Sequence, residues 1–230
     1  MPSETDAASV RIVNSLVEAD ALTAAEEGGL RFTEQFAGRL TESRNTVTEA
    51  DGDTLITEFA PFVADQEKAE RFLELDDVTN RILAEYLALA RTVQDLSHSD
   101  RLRALTLFDA IGESPPPERG APNGFIPVTG DRLPFLLDVY PRVVVYIWLD
   151  DCDDCDVMEE VLAGIDTDRF EDITTLSVYG PDAAKLLHEE YSVPGGPATL
   201  FVLDGDVDAR LYGCHDHSIV ENQIETLREL

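Results

Sequence analysis

Lysine is all but missing from this chain: Lys68 and Lys185 are the only two in 230 residues. Positive charge therefore rests on arginine, and 17 basic residues face 47 acidic ones for a formal net charge of −30. So acidic a surface repels phosphate backbones and anionic headgroups alike, which argues against nucleic acid and membrane as partners. Cysteine is scarce as well. Cys152, Cys155 and Cys214 are too few for the disulfide framework of a small secreted domain. No apolar run reaches the roughly 18 residues that a bilayer-spanning helix needs. The first ten residues, Met1 to Val10, are polar and acidic where a leader would be charged and then apolar, so a cytoplasmic location is expected.

What is present is a globular composition, 43% hydrophobic, with its acidic residues dispersed along the chain instead of gathered in a tail. Dispersed acidity with little lysine suits a protein that must stay hydrated in multimolar salt, where the Debye length is about 3 Å or less. The cytosol of a salt-accumulating halophile is the expected setting.

Residues 1–112 read as a helical domain whose motifs assign it no role. Val78, Ile82, Tyr86, Leu87, Ala90 and Val93 recur at helical spacing, between an acidic start at Asp76-Asp77 and a polar stop at Ser97. Ser97 with Asp100 resembles a capping box for a second helix carrying Leu102, Leu105, Phe108 and Ile111 and closed by Gly112. Weaker helical patterns cover 8–19, 31–43 and 66–75, and Asp51-Gly52-Asp53 marks a turn. His98, near a helix start, reads as a surface residue.

Residues 113–123 hold four prolines and a glycine, the composition of a linker, and the domain boundary is expected there. Beyond it the pattern alternates. Strands are expected at 125–128, 142–149, 172–179, 198–203 and 207–212, and helices at 131–139, 154–164, 181–191 and 217–229. Asp204-Gly205-Asp206 signals a tight hairpin. The order βαβαβαββα makes residues 124–230 an α/β domain with a mixed central sheet flanked by helices.

Within that domain the apolar run Val143–Leu149 gives way to Cys152-Asp153-Asp154-Cys155 where a helix begins. Two thiols at this spacing suit either thiol–disulfide exchange or metal binding. In exchange, a thiolate attacks a disulfide sulfur and a second thiol three residues on expels the partner. A helix N-terminus favours a negative sulfur, while Asp151, Asp153, Asp154 and Asp156 oppose it. Each carboxylate about 6 Å away costs the thiolate roughly 0.7 kcal/mol in water.

The strand order, the C-x-x-C after the second strand, Trp148, the stretch Gly196-Pro197-Ala198-Thr199-Leu200 and Gly213 together resemble the thioredoxin fold family over about residues 124–230. The resemblance implies a thiol–disulfide oxidoreductase of protein substrates, with an upstream reductant and no cofactor. It implies Cys152 as the attacking thiol and Cys155 as the resolving one. Pro197 would be cis and face the pair, and the backbone of Gly196 would pair with the substrate chain. Two departures stand out. Asp153-Asp154 replace the family's usual Gly-Pro, and Tyr146 aligns with a buried aspartate that helps deprotonate the resolving cysteine. The alternative is a thioredoxin-fold binding or adaptor module, its cysteines structural or closed on zinc as Cys152, Cys155 and Cys214 with one histidine of Cys214-His215-Asp216-His217. Cys214 is also a possible third thiol, able to form an alternative disulfide with Cys152.

Overall fold

The computed structural model describes residues 4–25, 29–75, 78–111, 116–117, 119–170 and 172–230. The expected helix start at Asp76-Asp77, the stop at Gly112 and the linker residues 113–115 and 118 lie outside them. The chain divides into two compact units, Asp6–Gly112 and, counted together, Met1–Thr5 with Glu113–Leu230.

The first unit is built from helices α1 (Glu4–Glu18), α2 (Glu34–Glu49), α3 (Gly52–Val63), α4 (Gln66–Leu73), α5 (Asn80–Thr92) and α6 (His98–Ile111). A hairpin of two three-residue strands, β1 (Leu22–Ala24) and β2 (Leu30–Phe32), joins α1 to α2. Side-chain oxygens start four of the helices. Thr33, Asp51, Asp65 and Thr79 each accept from the main-chain N–H three residues on, satisfying a donor that the helix cannot pair itself. Ser97 does the same for Asp100, as its spacing predicted.

The sequence reads α5 as amphipathic, yet every residue from Ile82 to Ala90 is buried, because α2 and α6 both pack on it. Glu85, inside that stretch, is neutralised by Arg81 at 3.0 Å. His98 also departs from expectation. Its ring sits edge-on to Phe72 and Tyr86, and its Nδ1 lies 2.7 Å from the Tyr86 hydroxyl. An aromatic cluster assembled from α4 and α5 thus covers a residue that looks exposed in one dimension.

The second unit carries five strands: β3 (Ile126–Val128), β4 (Arg142–Trp148), β5 (Thr174–Tyr179), β6 (Ala198–Leu203) and β7 (Asp206–Tyr212). They lie in the order β3-β5-β4-β6-β7, with β3, β5 and β4 parallel and β6 and β7 antiparallel. Helices α7 (Leu133–Val139), α8 (Asp153–Ala163), α9 (Ala184–Glu189) and α10 (His217–Glu229) complete it. This is the expected thioredoxin-like mixed sheet flanked by helices.

Six of the seven residues of β4 are buried, as a central strand covered on both faces requires. Val144, Tyr146 and Trp148 pack with Cys155, Met158 and Leu162 of α8 and with Val220, Ile224 and Leu227 of α10. Val143, Val145 and Ile147 point the other way and are buried too. Each such side chain contributes about 1.5–3 kcal/mol of burial energy, which fixes the strand and the position of its C-terminal end. Asp204 and Gly205, both at positive φ, close the β6–β7 hairpin as their spacing predicted.

Candidate functional site

Parallel β4 and antiparallel β6 bring the sequence-predicted residues to one end of the sheet. The register pairs Ile147 with Ala198, so Pro197 follows on opposite Trp148, at the end from which β4 leads into Cys152. Ala198 also pairs with Tyr212, which sets Gly213 and Cys214 at that end. The Gly213 N–H donates to the Pro197 carbonyl at 2.8 Å, and the Gly196–Pro197 peptide is cis. Gly196 is close-packed: a Cβ there would come within 3.1 Å of the Leu149 side chain and 3.2 Å of the Ile147 carbonyl.

Cys152 is the N-cap of α8 and is joined to Cys155 by a disulfide. Its sulfur accepts from the Cys155 N–H at 3.2 Å. A cap needs an acceptor and extended backbone, and Cys152 supplies both in place of the usual oxygen. The loop before it turns sharply at Asp151, whose φ of 52° is unusual for a residue with a side chain. The two sulfurs are not equivalent. Cys152 is half-buried, whereas Cys155 is only 3% exposed.

Tyr146 lies beneath the pair, fully buried, and its hydroxyl donates to the Cys155 carbonyl at 2.8 Å. Burial first, then the neighbouring Glu159, Cys214 and Asp156, hold its phenol well above the ordinary value. Tyr146 is therefore a donor and no base near neutral pH.

A cleft of about 590 Å³, counted to its open mouth, reaches both cysteines. Tyr146 and Trp148 of β4, Asp153, Cys155, Asp156 and Glu159 of α8, the loop 149–152, and Arg119 with Gly120 line it. Trp148 is buried as expected, its ring 4.7 Å from that of Tyr179, whose hydroxyl bonds the Asp150 carboxylate. Gly120, at φ +83°, lies so close to the indole that a Cβ would fall 2.5 Å from it. Residues 119 and 120, read in the sequence as linker, thus pack on this unit and wall the site. Nothing in the sequence beyond a glycine pointed to them. Glu159 was legible in principle, because it follows Cys155 by one helical turn.

Cys214 is exposed, and its thiol donates to the Asp154 carbonyl at 3.0 Å. Desolvation at the sulfur, then the Asp154 charge and hydrogen bond, push its pKa up, which keeps it a thiol near neutral pH. The four ligands of the zinc alternative are not assembled. His215 Nε2 lies 3.0 Å from the Tyr212 carbonyl, and His217 Nε2 lies 3.2 Å from that of Gly164. Among the described residues no group of three His, Cys, Asp or Glu side chains is placed to hold a metal ion, and no helix is long and apolar enough to cross a membrane.

No protein-family model and no curated protein matches the chain. Among solved structures it is similar to one concerned with the thiol resolving mechanism of yeast mitochondrial 1-Cys peroxiredoxin via glutathione/thioredoxin systems, at 14% identity and TM-score 0.41, over 46% of this chain and 98% of that one. It is similar to a mutant thioredoxin from Halobacterium salinarum NRC-1 at 20% identity and TM-score 0.40, over 48% of this chain and 96% of that one. The oxidised mitochondrial thioredoxin 3 of Saccharomyces cerevisiae matches at 14% identity and TM-score 0.40, over 44% of this chain and 94% of that one. The fold itself rests on strand order and register.

Proposed function

We propose that the protein is a thiol–disulfide oxidoreductase acting on protein substrates, with Cys152 and Cys155 as its working pair. The observation that carries this reading is the asymmetry of the disulfide: a half-buried sulfur at a helix N-cap, joined to a buried one. In the reduced protein the Cys152 thiolate attacks a client disulfide, forming a mixed disulfide and releasing one client thiolate. Cys155 then attacks the Cys152 sulfur, closing the observed disulfide and expelling the second client thiolate. The client gains two electrons and the pair loses two, which an upstream dithiol reductant restores. Gly196 and Pro197, at the same end of the sheet, receive the extended client backbone.

The acidic surface supports a cytoplasmic, salt-rich setting and argues against nucleic acid and membrane partners. We assign residues 1–112 to a helical domain and 124–230 to a separate thioredoxin-like domain, joined by the proline-rich stretch 113–123.

Trapping tests the exchange. Cys155→Ser cannot complete the second step, so it should hold a client on Cys152 as a reducible mixed disulfide in a high-salt lysate. The double variant Cys152→Ser/Cys155→Ser should hold none, and equal recovery from the two would overturn the reading.

A further inference from the structure

Closing the disulfide requires Cys155 to lose a proton, and opening it requires Cys155 to regain one. At 3% exposure the sulfur is shut away from bulk solvent except through the cleft. What the cleft offers is therefore decisive. Tyr146 stands at its floor, but its hydroxyl hydrogen is already given to the Cys155 carbonyl. Asp150 and Asp151 belong to the loop before Cys152, Asp153 is the first residue of α8, and Asp156, the residue after Cys155, is exposed.

Glu159 differs from all of these. It lies four residues after Cys155 on α8, the spacing at which side chains meet on one helix face, with Cβ atoms about 5–6 Å apart. It is half-buried and lines the same cleft as Cys155. Tyr146 lines that cleft as well.

On the reading of Cys152 and Cys155 as an exchange pair, we propose that Glu159 is the proton acceptor and donor for Cys155, directly or through one water in the cleft. As the mixed disulfide resolves, the Glu159 carboxylate takes the Cys155 proton, and the thiolate attacks the Cys152 sulfur. The client leaves as a thiolate, and Glu159 returns the proton to solvent at the mouth. When a dithiol reductant reopens the pair, Cys155 departs as thiolate and Glu159 supplies its proton. The charged and titratable groups facing this exchange are Asp153 and Asp156 on α8, Asp150 and Asp151 on the loop, Arg119 from the preceding segment and Tyr146 from β4. Cys214 does not line the cleft, and its thiol donates to the Asp154 carbonyl.

Dithiodipyridine mixed with the reduced full-length chain, in a Cys214→Ser background, separates the two steps. The first thiopyridone reports attack by Cys152 and the second reports resolution by Cys155. Glu159→Gln should leave the first phase unchanged and slow the second by about tenfold or more, while Glu160→Gln, exposed on the same helix and outside the cleft, keeps both within about twofold. In Glu159→Ala, added formate should restore the second phase, which a purely structural defect would not allow. A second phase in Glu159→Gln as fast as in the parent, or faster, overturns the proposal while leaving the exchange reading intact. A parent that releases no second thiopyridone overturns both.

Discussion

The Tyr146 hydroxyl and the Cys155 carbonyl meet at 2.8 Å, tying the central strand β4 to the first turn of the helix that carries the disulfide. The bond is fully buried and joins residues nine apart in sequence. It anchors the backbone of the inner cysteine. The group that makes it holds its proton far above neutral pH.

Tyr146→Phe should accordingly cost about 1 kcal/mol, the net value of one hydrogen bond, and lower the melting temperature by about 2–4 °C. The pH dependence is more specific. The phenol is held above its unfolded value of 10.0, so its stabilisation is complete below that pH and is lost as pH rises beyond it. Urea titrations at neutral pH and in strong alkali should show a shallower alkaline decline in the variant. Parallel declines would exclude Tyr146 as a contributor.

Gly120→Ala should damage the site through packing. A side chain at φ +83° is strained, and its Cβ would lie 2.5 Å from a buried indole, for a combined cost of about 2–4 kcal/mol. Trp148 is the only tryptophan, so the emission comes from the ring that Gly120 covers. A red-shifted emission together with a lower unfolding midpoint is expected. An unchanged spectrum would mean that the segment does not lie on the ring in solution.

The sheet unit was the more legible half because its signals are local. The apolar run at Val143–Leu149 exceeds what a half-exposed strand would carry, and Asp204-Gly205 has few uses other than a tight turn. The helical unit was less so. β1 and β2 have three residues each, too few to show alternation, and α3 was hidden because Asp51-Gly52-Asp53 reads as a turn. Asp51 is in fact its N-cap, with Gly52 and Pro61 inside the helix. In the site, the cysteine pair was readable from its spacing, whereas Pro197 came only with the resemblance to the thioredoxin fold family. Arg119 and Gly120 were not readable, because their place depends on a chain reversal that only packing on Trp148 defines.

His98 gives the helical unit a pH dependence of its own. Burial first, then the positive charges of Arg101 and Lys68, holds its pKa below 6.5. Burial favours the neutral ring, whose Nδ1 meets the Tyr86 hydroxyl at 2.7 Å. Its stabilising contribution is therefore present above pH 6.5 and is lost as pH falls through the lower folded value. Thermal melts should show the parent losing more stability than His98→Gln between about pH 7 and pH 5. Direct titration by NMR should place His98 below 6.5, and a value at or above that would remove this explanation.

The aspartates around the disulfide lead to a prediction about salt. Asp151, Asp153, Asp154 and Asp156 are all exposed, so their repulsion of a Cys152 thiolate acts largely through water. A carboxylate about 6 Å away costs roughly 0.7 kcal/mol there, close to half a pKa unit, and several add. The helix N-terminus works in the opposite direction but acts within a few ångströms of the sulfur, where mobile ions screen least. Raising KCl from about 0.2 M to about 3 M shortens the Debye length from roughly 7 Å to about 2 Å, so it removes more of the repulsion than of the attraction. The apparent pKa of Cys152 in the reduced protein, read from alkylation rate against pH, should fall with that change. In Asp153→Asn/Asp154→Asn it should start lower and move less. A Cys152 titration that ignores salt in the parent would mean that the carboxylates sit too far from the sulfur to govern it.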